Sequence, residues 1–474
     1  MLLRLLYDDS LAQAAYLIGC QKTGEAIIID PERDVDRYIE AAKAEGLRLV
    51  AAAETHIHAD FLSGCRELAD RGLTVYLSAE GGPDWQYKWP APYKHRLLRH
   101  NDTFNIGNIA FRVLHTPGHT PEHICFEVTD KGGGASEPMG LISGDFVFVG
   151  DLGRPDLLET AAGVQGTKEV GARQLFGSVQ HFLKLPDYLQ VWPGHGAGSA
   201  CGKALGAVPQ STVGYERRHN PAIQSAARPQ SEAGFVDFIL SGQPEPPTYF
   251  ARMKRQNRDG PPLLGPLAQP ATLSPGDLAR IDFSQVAILD TRPWSDFKAG
   301  HLPGSIRDPL DKTFNTIAGA YLRDDQDIYL VLPAAHLESA VRTLVRVGLD
   351  RVRAHIAPES ITAYAAQGGK LETTSDIDLS TAQALLAQGA IPIDVRRRAD
   401  EFDPGHIPGA MSIPHLRLAA ALDSLPRNRR LLVYCKSGSR SGRAVSFLQH
   451  AGFDAVNLAG GFDAWAAQAK PVEV

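Results

Sequence analysis

Three groups of residues in this chain have the types and spacing to do chemistry. The first is Glu54-Thr55-His56-Ile57-His58-Ala59-Asp60-Phe61, which sets two imidazoles and a carboxylate at alternate positions directly after the apolar run Leu47–Ala53. Alternate residues of a strand share a face, so His56, His58 and Asp60 can converge at its C-terminal edge as a metal site. The second group is a series of turn-flanked polar residues in Thr116-Pro117-Gly118-His119-Thr120, Ser143-Gly144-Asp145 and Trp192-Pro193-Gly194-His195-Gly196, further potential ligands for the same point. The third is Cys435-Lys436-Ser437-Gly438-Ser439-Arg440-Ser441, between the apolar Leu431–Tyr434 and the helical stretch Gly442–Gln449. A loop between a strand and a helix N-terminus turns its N–H groups inward with the helix dipole behind them, and such a nest favours a nucleophilic thiolate.

These groups need elements to hold them. Residues 2–30 read as two or three short strands ending in Ala26-Ile27-Ile28-Ile29-Asp30-Pro31, and Asp34–Gly46 has helical spacing with a terminal glycine. Leu47–Ala53 is the strand that delivers the histidine motif; residues 60–72 read as helix and Leu73–Leu77 as strand. Strands recur at Ile109–His115, His123–Val128 and Leu141–Ser143. The result is an α/β layered domain with its chemistry at strand ends. From Ser241 to Pro275 the chain holds Pro244, Pro246, Pro247, Pro261, Pro262, Pro266, Pro270 and Pro275, which predicts an extended linker without regular structure.

The last two hundred residues repeat. Ile288-Leu289-Asp290-Thr291-Arg292 matches Pro392-Ile393-Asp394-Val395-Arg396 at an offset of 104, and His301-Leu302-Pro303-Gly304 matches His406-Ile407-Pro408-Gly409 at 105. That offset means a duplicated domain of about a hundred residues, each copy a small parallel α/β unit. Cys435 falls opposite Val331, in Val331-Leu332-Pro333-Ala334-Ala335-His336, which has neither thiol nor glycine. The first copy is therefore expected to be catalytically silent.

At 474 residues the chain is too long for one core and predicts three domains. A net charge of -6 excludes attraction of nucleic acid or an anionic membrane to the chain as a whole, and no apolar run is long enough to span a bilayer. Asp8 and Asp9 interrupt the apolar start, so no signal peptide is read there and a cytoplasmic location is expected. The five cysteines, Cys20, Cys65, Cys125, Cys201 and Cys435, are odd in number and lack a CxxC pair, which is not a disulfide framework.

The order His-x-His-x-Asp, Pro-Gly-His-Thr, Ser-Gly-Asp and Pro-Gly-His resembles the metallo-β-lactamase superfamily. Ser143-Gly144-Asp145-Phe146-Val147-Phe148 followed by Gly153-Arg154-Pro155-Asp156 is similar to its persulfide dioxygenase branch. The resemblance implies an αββα sandwich over residues 1–245 and metal ligands His56, His119 and Asp145. Two-zinc hydrolases of the superfamily use a histidine directly after the Asp of the first motif, where this chain has Phe61. Phenyl does not coordinate metal. A single metal on two imidazoles and a carboxylate keeps three positions open, the arrangement of non-haem iron(II), so the implied cofactor is one Fe(II) per chain and no organic group. His58, Asp60 and His195 would stand behind the ligands, orienting them, holding water or shuttling protons. Arg154 is a candidate anchor for a substrate carboxylate or a developing sulfur oxyanion.

The repeat and the Cys435 loop resemble rhodanese domains. Cysteine phosphatases place five residues between Cys and Arg, whereas here there are four, a tighter loop suited to a single sulfur. The resemblance makes Cys435 and Arg440 catalytic and gives Lys436, Ser437, Gly438, Ser439 and Ser441 to substrate binding. The expected fold is thus α/β throughout: an N-terminal αββα metallo-β-lactamase sandwich, a Pro-rich linker over 246–272, a silent rhodanese-like domain over 273–372 and an active one over 373–474.

Such a fusion implies a persulfide dioxygenase joined to a sulfurtransferase. With dioxygen it would oxidise a low-molecular-weight thiol persulfide, of glutathione, coenzyme A or bacillithiol type, to sulfite. Cys435 would carry the outer sulfur of a persulfide to an acceptor; sulfite would give thiosulfate, a route of sulfide detoxification. Tethering raises the effective concentration of one site's product at the other, and a homo-oligomer is expected. The leading alternative is a zinc-dependent thioester hydrolase of the glyoxalase II type with passenger rhodanese domains; another is a non-enzymatic sulfur carrier or sensor. Cys201 could relay sulfur near the metal, but a packed thiol is the preferred reading, and Cys20, Cys65 and Cys125 have no functional case.

Overall fold

A run such as Ala26-Ile27-Ile28-Ile29 has no polar side, so it needs apolar cover on both faces. In the computed structural model, which describes residues 1–160, 166–228 and 232–474, it receives that cover. The chain divides into two units, Met1–Pro266 with Val345–Val347, and Leu267–Leu344 with Gly348–Val474.

The first unit contains two six-stranded sheets. One runs in chain order: Leu2–Asp8, Gln13–Cys20, Glu25–Ile29, Arg48–Ala53, Thr74–Ser78 and His95–Leu98, antiparallel over the first three strands and parallel afterwards. The other orders Ser211–Thr212, Gln190–Pro193, Gly140–Gly144, Ile124–Asp130, Ile109–His115 and Thr103–Ile106, with Gly140–Gly144 and Gln190–Pro193 parallel and the other pairs antiparallel. Alternation sorts each strand between two cores. Ile27, Ile29, Ala51 and Ala53 meet Phe111, Val113, Phe126 and Ile142 of the opposite sheet. Ile28 and Ala52 face outward onto Tyr38 and Leu68 of the helices Asp36–Ala44 and Cys65–Asp70. Leu141 and Val191 similarly face Leu175, Val179 and Phe235 of the helices Thr167–Phe182 and Glu232–Leu240. This is the αββα sandwich expected from the sequence. The strand before the histidine motif is Arg48–Ala53, so the motif starts where the sheet ends.

The proline-dense stretch corrects the sequence reading, because it contains the ten-residue helix Phe250–Asp259. The prolines flank this segment and none lies inside it, leaving its hydrogen-bond ladder intact. Its buried residues Phe250, Met253, Lys254 and Asn257 recur at helical spacing, so one face packs onto the first unit.

The second unit repeats one design. Its two five-stranded sheets are all parallel and share the same spatial order: Ala271–Thr272, Val352–Ile356, Ile328–Val331, Ala287–Asp290, Ile306–Arg307, and then Asp376–Ile377, Ala455–Leu458, Leu431–Tyr434, Ile391–Asp394, Met411–Ser412. The repeated motifs prove architectural. Arg292 donates to Asp290 (2.7 Å) and the carbonyl of Gly300 (2.9 Å), as Arg396 does to Asp394 (2.6 Å) and Gly405 (2.7 Å). The backbone N–H of Gly304 donates to Glu372 and that of Gly409 to Glu473. These contacts explain why the motifs persist in a copy without a thiol. Among the described residues no helix is long and apolar enough to cross a membrane.

Candidate metal centre and cysteine loop

Three strand ends of the first unit bring His56, His119 and Asp145 together, each offering a ligand atom within 4.8 Å of the others, and all three are buried. The Nε2 atoms of His56 and His119 lie 3.9 and 3.5 Å from Asp145 Oδ2. Nδ1–H of His119 faces the carbonyl of Arg154 at 3.0 Å, which turns its Nε2 lone pair into the site. Burial, reinforced by the neighbouring imidazoles, pushes the pKa values of His56 and His119 well below the ordinary histidine value, so both rings are neutral donors. Burial lifts the Asp145 carboxyl to about 6, with His195 pulling down and Asp60 pushing up. Among the described residues no N–H or O–H donor reaches either Asp145 oxygen, and only the Cys201 thiol bonds to it. A buried carboxylate so poorly supplied with donors is costly unless a cation faces it, and two neutral imidazoles complete a site for a divalent metal.

The residues placed behind the ligands fall into two sets. His58 donates through Nε2 to Asp30 at 3.1 Å; burial opposes its charge, but Asp30, with Glu54 and Asp60, lifts its pKa to about 9. Asp60 and His195 lie 3.3 Å apart and form, with Cys201, a second buried group of potential ligands. His195 Nδ1–H faces the carbonyl of Ala12 at 3.0 Å, so its Nε2 points at Asp60 and at Asp145 Oδ1, 3.5 Å away. The Cys201 thiol is pushed well up by burial and by the charges of Asp145 and Asp60. Phe61 is fully buried with its ring 4.4 Å from that of His58, where it offers no ligand atom.

Arg154, the candidate substrate anchor, has its guanidinium engaged by the protein itself. It is 1% exposed, grips Asp156 through Nε (2.8 Å) and Nη2 (2.6 Å), and donates through Nη1 to the carbonyls of Ala200 (3.1 Å) and Pro244 (2.6 Å). A guanidinium so engaged braces the loops around the site. The backbone beside it is equally tight, since a Cβ on Gly153 would run into the carbonyl oxygen of Asp145.

Three supporting residues were not picked out from sequence. His123 accepts the backbone N–H of Asp145 through Nε2 at 3.0 Å. Asp30, in the left-handed region at φ 53°, accepts from the backbone N–H (2.7 Å) and hydroxyl (2.9 Å) of Thr55 as well as from His58. Such strain persists only where the surroundings hold it. Glu122 accepts the backbone N–H of Ile57 at 2.9 Å, tying the first motif to the second. The available signals were the polar end of an apolar strand at Asp30-Pro31 and a second histidine four residues after His119.

In the second unit, Cys435 follows the buried strand Leu431–Tyr434 and precedes the helix Ser439–His450. Its Sγ receives the backbone N–H of Gly438 at 3.2 Å and the hydroxyl of Ser441 at 3.4 Å. Gly438, at φ 103°, makes the turn that aims this N–H inward. The backbone N–H groups of Phe462 and Asp463 hold the carbonyls of Cys435 and Lys436 at 2.8 and 2.9 Å. Arg440 is locked in a two-armed pair with Glu401, at 2.7 and 2.5 Å. In the first copy the strand Ile328–Val331 leads to Pro333, a turn at Ala334–His336 and then the helix Leu337–Arg346, with no thiol in the loop.

Comparison with known proteins agrees with both halves. The family model described as metallo-beta-lactamase superfamily matches residues 9–195, and the model described as rhodanese-like domain matches residues 378–468. Hydroxyacylglutathione hydrolase of Xanthomonas campestris pv. campestris is 32% identical over 230 residues, covering 47% of this chain and 79% of the relative. A solved structure described as a metallo-beta-lactamase from Staphylococcus aureus is 45% identical, covers 75% of this chain and 99% of its own, and superposes with a TM-score of 0.67. The structure of ETHE1 from Myxococcus xanthus is 26% identical over 54% of this chain and 98% of its own, with a TM-score of 0.43. The chain belongs to the metallo-beta-lactamase superfamily and carries a rhodanese-like domain in its C-terminal part.

Proposed function

We propose that the chain oxidises a low-molecular-weight thiol persulfide to sulfite at the His56–His119–Asp145 centre and transfers sulfane sulfur through Cys435. The observation that carries this reading is a donor set of two neutral imidazoles and one carboxylate beside a position where Phe61 replaces a ligand. An iron(II) ion held there would supply open positions for sulfur and dioxygen and the electrons to activate the latter. The chain's own residues supply the rest. The carbonyl of Arg154 fixes the His119 tautomer, and His123 fixes the backbone of Asp145. Asp60 and His195, 3.3 Å apart, would take the persulfide proton. The balance is RSSH + O2 + H2O giving RSH, SO3²⁻ and two protons.

At the second site the Cys435 thiolate attacks the outer sulfur of a persulfide, the S–S bond breaks, and RSH leaves with the proton. The resulting Cys-S-S⁻ lies among the donors from Gly438 and Ser441. Sulfite then takes the outer sulfur, giving thiosulfate and regenerating the thiolate. Cys435→Ser is expected to keep persulfide-dependent oxygen uptake while sulfite replaces thiosulfate as product; loss of oxygen uptake would contradict separate chemistries.

The second reading, a zinc-dependent thioester hydrolase, is favoured by the 32% identity to a curated hydroxyacylglutathione hydrolase. Phe61 weighs against it by leaving a two-zinc site a ligand short. Thioester hydrolysis by protein shown to hold zinc would favour this alternative.

A further inference from the structure

A cavity of about 690 Å³ opens in the first unit beside the metal centre. Its lining includes Ile57, between His56 and His58, and Pro121, two residues beyond His119. Another part is the helix Phe250–Asp259, from which Lys254, Arg255 and Arg258 line the cavity. Lys254 is 9% exposed, and its Nζ has no hydrogen-bond partner among the described residues. The ammonium sits 4.2 Å from the ring centre of Trp85, which lines the same cavity. Ring contact offsets part of its desolvation but supplies no acceptor. Glu122 is the buried carboxylate whose charge acts on Lys254, but among the described residues no hydrogen bond joins the two. Arg255 is exposed at the cavity wall, Arg258 is paired with Asp259 through Nε at 2.8 Å, and Asp84 is the carboxylate of the lining.

A buried ammonium lacking an acceptor, in a cavity of a size that takes small molecules, calls for an anion. We propose that this cavity binds the carrier of the persulfide, with Lys254, flanked by Arg255 and Arg258, holding a carboxylate or phosphate of the carrier while its sulfur reaches past Ile57 and Pro121 to the metal centre. The assignment rests on the persulfide reading for the nature of the sulfur group. It makes the substrate an acidic thiol persulfide rather than any alkyl persulfide and gives the proline-flanked helix a part in recognition.

The test is calorimetric titration of the metal-loaded, full-length protein without oxygen, using glutathione as the carboxylate probe, coenzyme A as the phosphate probe and 2-mercaptoethanol as the neutral one. The acidic thiols should bind more tightly than the neutral one, and Lys254→Gln should weaken the recognised acidic thiol about tenfold, equivalent to one lost charge-assisted contact. A loss confined to glutathione identifies a carboxylate, and one confined to coenzyme A a phosphate. Equal binding of acidic and neutral thiols, or unchanged affinity in Lys254→Gln, overturns the proposal. Should that variant fail to fold, Arg255→Gln, altered at an exposed position, should flatten the salt dependence of acidic-thiol binding; an unaltered salt dependence overturns it. Oxygen uptake separates the two inferences. Lys254-dependent binding without persulfide oxidation defeats the dioxygenase reading alone, whereas oxidation with the same KM for acidic persulfides in Lys254→Gln defeats the cavity assignment alone.

Discussion

His123 Nε2 accepts the backbone N–H of Asp145 at 3.0 Å across 22 residues of sequence, so a histidine outside the ligand set fixes the peptide that presents the carboxylate. Thr116 Oγ1 meets the other ring nitrogen at 2.8 Å. Outer partners of this kind are worth about 10- to 100-fold in metal affinity. His123→Leu should therefore lower metal retention by about that factor in a chelator competition. Unchanged retention would show that Asp145 is positioned without it.

Asn257 reaches from the proline-flanked helix into the loop of the first motif, donating to the carbonyls of His58 (2.9 Å) and Phe61 (2.7 Å) and accepting the N–H of Ser63 (2.9 Å). Asn257→Ala would strand three buried backbone groups, at about 1–3 kcal/mol for each group left unsatisfied. Urea unfolding of the first unit should show a loss of about 3 kcal/mol after partial relaxation. A variant as stable as wild type would mean that the helix does not support the loop.

Arg440 bonding draws the Glu401 carboxyl down to about 2 against a smaller opposing effect of burial. A carboxyl lowered from its ordinary value of 4.5 contributes stability above that pH and loses it as pH falls from 4.5 towards 2. Glu401→Gln should thus cost about 1–2 kcal/mol at neutral pH, with the gap from wild type narrowing below pH 4.5. A gap that stays constant down to pH 3 would contradict the pairing.

Much of the site was legible because strand geometry is local. His56 follows an apolar strand, and the Gly-flanked His119 and Asp145 follow two others, so all three read as potential ligands at strand ends, and the resemblance to the metallo-β-lactamase superfamily singles them out as a set. The duplicated fold was legible from a constant offset, as was the missing thiol opposite Val331. What escaped depended on partners far away in the chain. Nothing local marks Asp30 as the acceptor for Thr55 and His58, 25 and 28 residues on, or Arg154 as the clamp on Pro244, 90 residues on. The helix Phe250–Asp259 is masked by the density of prolines on either side of it, although Phe250, Met253, Lys254 and Asn257 carry the period of a buried face.

Oxygen consumption by metal-assayed protein given a thiol persulfide decides between iron-dependent persulfide oxidation and zinc-dependent thioester hydrolysis. Iron is expected in the first unit, with persulfide-dependent oxygen uptake that His119→Ala abolishes while sulfur transfer through Cys435 continues. Zinc in the same site, thioester hydrolysis and no persulfide-dependent oxygen uptake would contradict it.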